Sequence, residues 1–165
     1  MSAPRSVAVA LAVAAGTLTL WACSGDETKS VPVSECAAGT RWVGDDEGSP
    51  KMYPGRDCVS CHAGNDGPNF TLAGTVFGAA GQDDDCFGVG GVSVEVTGAD
   101  GVVTTLTANE AGNFYTDNAI AMPYTAKVRT PNGERAMQAA QSTGACNSCH
   151  TTTGANSAPG RILAP

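Results

Sequence analysis

The stretch from residue 70 onwards constrains the fold most, because short β-type runs alternate there with glycine-rich turns. Several runs alternate apolar and polar side chains with the period of two that a half-buried strand requires: TLAGTVFG, VSVEVTG, VVTTLTA, GNFYT and YTAKVRT. GVGG, GADG and NEAG separate them, and TGADGVV has the form of a tight hairpin. No ten-residue amphipathic helix intervenes, so a parallel α/β sheet is not expected. The pattern predicts a mainly β chain with a single antiparallel β-sandwich over residues 70–140.

The number of strands depends on ERAMQAA, residues 134–140, which suits either a sixth strand or a helical turn. Six hairpin-connected strands would bring the two ends of the sandwich to the same pole, whereas five would place them at opposite poles. RIL, near the end of the chain, is the remaining candidate strand.

LAGTVFG followed by GGVSVEVTGADGVVTTLTANEAGNFYT resembles the carboxypeptidase regulatory-like family. The resemblance rests on Gly74 to Val76, Gly91 to Val96 and Thr104 to Phe114, and it covers residues 70–130. It implies a transthyretin-like (immunoglobulin-like) sandwich that serves as an accessory module and carries no catalysis. The zinc ligands of the peptidases themselves are not present in this sequence.

Two C-x-x-C-H segments flank the predicted sandwich, RDCVSCH at 56–62 and GACNSCH at 144–150, and they contain both histidines of the chain. The pattern is similar to the haem-attachment motif of c-type cytochromes, in which two thiols bind the porphyrin and the histidine ligates the iron. The resemblance implies two covalent haems c in irregular haem-binding segments, residues 51–69 and 141–165. One haem would be held by Cys58, Cys61 and His62, and the other by Cys146, Cys149 and His150.

The same cysteine pairs have other interpretations. A four-cysteine zinc site is one, although its pairs are usually only about 15–20 residues apart. A redox-active dithiol is another, but it favours a helix N-terminus in a βαβ unit, which this pattern lacks. Plain disulfides remain a third alternative in an oxidising compartment.

The sixth ligand of each iron must come from outside the histidines, because the chain contains only two. Methionine is the available donor, and Met/His ligation raises the reduction potential of a haem. Met52, six residues before Cys58, and Met137, nine before Cys146, are the favoured candidates, and Met122 is a weaker one. A methionine that merely fills the core is the alternative in each case.

The N-terminus predicts export. Arg5 and a short apolar stretch end at LWAC, which resembles a bacterial lipoprotein signal with cleavage before Cys23. Residues 1–22 would be the signal peptide, Cys23 the lipidated residue and residues 23–50 a tether, with an outer-membrane lipoprotein as the expected product. An ordinary secretory signal and a soluble periplasmic protein are the alternative. Once Cys23 and the two motifs are set aside, Cys36 and Cys86 remain and are predicted to form a disulfide.

The charge of the chain excludes one class of partner. Its formal net charge is −7, and no basic patch is present that could release phosphate counterions, so nucleic acid is not expected to bind. The acidic clusters GDDEG at 44–48 and DDD at 83–85 could attract calcium, but neither has the spacing of an EF-hand loop. Solvated loops are the favoured interpretation.

The sequence therefore predicts a dihaem c-type cytochrome lipoprotein that carries electrons in the bacterial cell envelope and is not an enzyme. Its expected partners are redox proteins of the envelope, the membrane through the lipid anchor, and other copies through haem-exposing faces. The alternative is a structural or binding β-sandwich lipoprotein whose C-x-x-C pairs form disulfides or a zinc site.

Overall fold

The structure is a computed structural model that describes residues 36–44, 48–64 and 67–165. The predicted signal peptide, the predicted lipidation site Cys23 and most of the predicted tether lie outside the described residues. So do the three acidic residues of the GDDEG cluster. Within the described part of the chain, no helix is long and apolar enough to cross a membrane.

Nine short elements make up the fold. In chain order they are α1 Cys58–His62, β1 Leu72–Phe77, β2 Ser93–Thr97, β3 Val103–Thr107, β4 Asn113–Thr116, β5 Thr125–Thr130, β6 Gly133–Ala136, α2 Cys146–Cys149 and β7 Ile162–Leu163. The strands form a three-stranded sheet in the order β4-β1-β7 and a four-stranded sheet in the order β3-β2-β5-β6. The predicted mainly β fold with two sheets is confirmed.

The β2–β3 hairpin forms where the sequence predicts it. Its antiparallel register runs from Ser93 opposite Thr107 to Thr97 opposite Val103. The connecting turn is closed by the amide of Gly101, which donates to the carbonyl of Gly98 at 2.9 Å. Gly101 has a φ of +79°, in the left-handed region that glycine adopts without a steric cost.

The main core lies between the two sheets. It contains aliphatic side chains from the facing strands together with two aromatic rings, and its buried members are Leu72, Val76, Val92, Val94, Val96, Ala108, Phe114, Tyr124 and Val128. All six residues of β1 are buried, because its second face is covered as well. There Phe77 packs against the Cys36–Cys86 disulfide.

Residues 134–140 are a strand in their first part and irregular in the rest. β6 is a strand as far as Ala136, and Met137 follows it, with its amide donating to Ala126 at 2.9 Å. Six strands therefore lie between the two C-x-x-C-H segments.

One strand pairing departs from the antiparallel prediction. β7, which contains part of the predicted RIL strand, runs parallel to β1, with Val76 opposite Ile162. Ala145 forms a parallel bridge with Ala73 on the same strand. The chain therefore runs parallel to β1 at both contacts. Residues 146–161 lie between the two contacts and are not part of the sheet, and they include Cys146, Cys149 and His150 of the second motif.

Candidate functional site

The first C-x-x-C-H segment forms a helical turn, whereas the sequence pattern showed no helical period there. Asp57 caps α1, and its carboxylate accepts hydrogen bonds from the amide of Ser60 at 3.1 Å and from its hydroxyl at 2.8 Å. Cys58 is half-buried and Cys61 is exposed. Burial is the main cause that raises the pKa of the Cys58 thiol from 9.0 to about 11.

His62, the last residue of α1, lies at one end of a row of aromatic rings. The His62 and Phe70 ring centroids are 4.6 Å apart, and those of Phe70 and Tyr115 are 4.7 Å apart. The Nδ1 atom of His62 is buried and has no hydrogen-bond partner among the residues that the structure describes. A buried, unpartnered ring nitrogen is uncommon in a folded protein, which makes this histidine a candidate ligand.

The second segment begins inside the core. Cys146 packs against Gly74 of β1: a Cβ added to this glycine would lie 2.8 Å from the Cβ of Cys146 and 2.7 Å from the ring of Phe114. Tyr124 donates its hydroxyl to the carbonyl of Thr143 at 2.9 Å and lies 3.8 Å from the Cys146 sulfur. Burial raises the pKa of the Cys146 thiol to about 12 and also raises the pKa of the Tyr124 hydroxyl above its ordinary range.

His150 directly follows α2, and the C-terminal tail holds its ring in place. Its Nδ1 atom lies 2.8 Å from the carbonyl oxygen of Gly160. A carbonyl can only accept a hydrogen bond, so a neutral His150 carries its proton on Nδ1 and leaves Nε2 as the free lone pair. This arrangement is the one that metal-binding histidines usually have.

A cavity of about 470 Å³ lies against the second segment. Cys146, Cys149 and His150 line it together with Met137, and so do the buried side chains of Val94, Phe114 and Tyr124. The volume falls in the range of roughly 300–1,000 Å³ that is usual for sites of small molecules and cofactors. One apolar cavity therefore contains both thiols, the histidine and one methionine.

The structure distinguishes the three candidate methionines. Met137 lines the cavity. Met52 does not belong to the cavity lining, and its carbonyl accepts a hydrogen bond from the side chain of Asn113 at 2.9 Å. Met122 is 37 % exposed and lies outside the cavity lining as well.

The two C-x-x-C-H segments are bonded to each other across β1. The side-chain amide of Asn147, a spacer residue of the second motif, donates to the carbonyl of Arg56 at 2.8 Å. Its side-chain oxygen accepts from the amide of Thr75 at 3.2 Å. The guanidinium of Arg161 donates to the carbonyls of Gly55 and His150, at 3.2 and 3.3 Å. These contacts hold the two segments side by side, as the six-strand alternative predicts.

Arg161, in the C-terminal tail, is buried, although arginine usually lies on the surface of a protein. The residue is only 4 % exposed. Its guanidinium pairs with Asp84 at 2.6 Å and lies 4.8 Å from the centre of the Phe77 ring. The sequence signal was weak, because a single arginine in a Gly- and Pro-rich tail does not reveal that the tail folds back over β1.

The DDD cluster lies in a partly exposed loop, as predicted, and its carboxylates are ion-paired. Each aspartate forms an ion pair with a different arginine, in the pairs Asp83–Arg41, Asp84–Arg161 and Asp85–Arg56. The hydrogen bonds that Arg56 donates to Asp85 are the main cause that raises the pKa of Arg56. With their carboxylates used in this way, the three residues do not resemble a calcium loop.

Of the cysteine predictions, the structure tests the Cys36–Cys86 pairing. Cys36 and Cys86 form a disulfide with an S–S distance of 2.04 Å, which confirms the predicted pairing. The four motif cysteines are free thiols. A redox-active dithiol needs a lowered thiol pKa, and burial shifts Cys58 and Cys146 in the opposite direction. No group of three or more His, Cys, Asp or Glu side chains among the described residues is placed to hold a metal ion by itself.

Comparisons of the chain with protein families, with curated proteins and with solved structures found no match. The molecule is thus defined by its own features: a two-sheet β protein with two adjacent C-x-x-C-H segments, one of which opens into an apolar cavity.

Proposed function

We propose that this protein is a dihaem c-type cytochrome that carries electrons in the bacterial cell envelope, anchored to the outer membrane through Cys23. The observation that carries the proposal is the cavity at the second motif, since it combines the attachment thiols Cys146 and Cys149, the axial ligand His150 and the second donor Met137. These residues come from α2, the segment after it and the end of β6. The motif spacing accounts for the two thiols and the histidine, but the presence of Met137 in the same cavity is not a consequence of that spacing.

The residues of the second site fit the group that they would hold. Cys146 and Cys149 would form the thioether bonds, while the Gly160 carbonyl orients His150 so that Nε2 is available to the iron. Met137 would complete the axial pair, and Met/His ligation raises the reduction potential. The buried core side chains around the cavity exclude water. When bound, haem supplies a one-electron couple that no side chain of this protein provides.

The first site would hold its haem nearer to the surface. Cys61 is exposed, and the pair Cys58 and Cys61 does not line the cavity. His62 offers the buried, unpartnered Nδ1 atom noted above, and its ring is held against Phe70. Met52 remains the proposed second ligand of this site, because it is the methionine closest in sequence to Cys58. An exposed haem edge suits electron exchange with a redox partner of the envelope or with another copy of the chain.

The side-by-side arrangement of the two segments supports transfer between the haems. Asn147 and Arg161 hold the segments together through carbonyls on both sides of β1. Nothing in this arrangement calls for a substrate, so the proposed role is electron transfer instead of catalysis.

A haem-stained denaturing gel and an intact mass test the proposal directly. The full chain is expressed with a cytochrome c maturation system, and the expected product keeps two haems after denaturation. The paired variant Cys146→Ala, Cys149→Ala and the paired variant Cys58→Ala, Cys61→Ala are each expected to keep one.

Cys36→Ser is the matched control, because it removes a cysteine that the structure places in a disulfide, and it is expected to keep both haems. A wild-type chain that carries no covalent haem would contradict the proposal. It would favour the structural or binding lipoprotein instead.

A further inference from the structure

Arg135 differs from the other basic side chains in the part of the chain that the structure describes, because it forms no ion pair there. Each of the others has a carboxylate partner at ion-pair distance: Arg41, Lys51, Arg56, Lys127, Arg129 and Arg161. The guanidinium of Arg135 has no such partner among the described residues. Because carboxylates are abundant in this acidic protein, the lack of a carboxylate partner for Arg135 among the described residues suggests that it serves another anion.

The strand register places Arg135 on the cavity side of its sheet. It lies opposite Val128 in the β5–β6 pair, and Val128 is buried in the core. Directly opposite residues of an antiparallel pair point to the same face, so the Arg135 side chain lies on the inner face. The next pair of residues along the two strands, Glu134 and Arg129, lie opposite each other on the outer face. An ion pair at 3.0 Å joins their side chains there.

Arg135 also lines the 470 Å³ cavity, at its solvent-facing end. The residue is exposed, and so are Gln138, Asn156 and Ser157, which line the cavity too. The opposite part of the lining is the apolar core around Cys146. The other two cations of the lining are engaged, because Lys127 pairs with Glu95 and Glu134 and Arg161 pairs with Asp84. Among the described residues, Arg135 is therefore the one lining cation without an ion-pair partner, and it is exposed, whereas Cys146 lies in the apolar part of the lining.

We infer that Arg135 binds a propionate carboxylate of the haem held at the second motif. This inference rests on the proposed function and adds the residue that selects the orientation of the ligand. The vinyl carbons that bond to cysteine and the two propionates lie on opposite edges of the porphyrin. A haem attached at Cys146 and Cys149 then directs its carboxylates away from the core, and a guanidinium can donate two parallel hydrogen bonds to a carboxylate.

Haemin and its dimethyl ester test this inference, because the ester lacks only the carboxylate charges. The full chain is purified without attached haem in a His62→Ala background, in which His150 is the single histidine. Arg135→Leu is expected to weaken haemin binding by roughly fivefold, the upper end for an exposed ion pair, and to leave ester binding unchanged. Arg135→Lys is expected to recover most of the affinity. The matched control Arg129→Leu removes a cation from the outer face of the same sheet and is expected to change neither affinity.

A second readout uses the holoprotein with both haems attached. Arg135→Leu is expected to make the reduction potential of one haem depend on pH between pH 5 and 8, since the unpaired propionate then titrates in that range. The inference is overturned if the wild type and Arg135→Leu bind haemin with equal affinity, or if Arg135→Leu loses equal affinity for haemin and for the ester. Two covalent haems in the wild type uphold the proposed function in either case. A wild-type chain that takes up no haem overturns both.

Discussion

Asn147→Ala is the substitution that most directly tests the joined arrangement of the two segments. Asn147 is 4 % exposed, and its side chain makes three hydrogen bonds. The variant leaves the amide of Thr75 without its acceptor and the carbonyl of Arg56 without its amide donor. A buried polar group that loses its partner costs about 1–3 kcal/mol. The Thr75 hydroxyl keeps its bonds to Gly55 and Asn113. The exposed Arg56 keeps the Cys58 thiol as a donor to its carbonyl, so only the Thr75 amide is counted.

The expected loss in the free energy of unfolding is about 1–3 kcal/mol, the cost of leaving the buried Thr75 amide without its acceptor. Urea denaturation of the purified chain, with the Cys36–Cys86 disulfide intact, measures it. Asn147→Asp should be at least as destabilising, since its carboxylate keeps an acceptor for Thr75 but would be buried against the Arg56 carbonyl, to which the native amide donates. Asn132→Ala, in the exposed β5–β6 turn, is the matched control and should change stability by less than about 0.5 kcal/mol. A loss for Asn147→Ala as small as that of the control would refute the reasoning.

Three further predictions follow from the second site. Met137→Leu is expected to abolish the near-infrared absorbance band of one Met-ligated ferric haem and to lower the reduction potential of that haem. Met52→Leu should have the same effects on the other haem. An unchanged near-infrared spectrum in Met137→Leu would exclude Met137 as a ligand. Gly74→Ala should destabilise the fold by about 1–3 kcal/mol in thermal denaturation, because the added Cβ would lie 2.8 Å from the Cys146 Cβ; a neutral effect would mean that the packing of β1 against α2 is loose. In the chain before haem attachment, the pKa of Cys146 is raised from 9.0 to about 12, so this thiol contributes stability that is complete below pH 9 and is lost as the pH rises towards 12. Urea denaturation from pH 7 to 11 should show this decline, and an equal decline in Cys146→Ala would show that another group causes it.

Local sequence patterns were sufficient for much of the fold. Alternation with a period of two identifies a strand wherever one face is buried, and β2 follows it with Val94 and Val96 inside. The Gly98 to Gly101 turn was predictable because a left-handed residue in a tight hairpin favours glycine. The Cys36–Cys86 pair followed from the cysteine count once the motif cysteines were set aside. The six residues that match the haem motif could also be named from the sequence, because their chemistry depends on spacing along the chain.

Only the tertiary structure decided which distant residues share a site. Met137 and Met52 look equivalent beside their motifs, and the cavity separates them because β6 carries Met137 to α2. Asn147 is a spacer in the motif and Arg161 a polar residue in a tail, yet both are buried between the two segments. Nothing in the local sequence marks Arg135, and its proposed role was inferred from the β5–β6 register and from the lack of an ion-pair partner among the described residues. Contacts between residues so far apart in sequence cannot be read from the periodicity of the sequence. They arise because β1 is covered on both faces and is bordered by a parallel C-terminal strand.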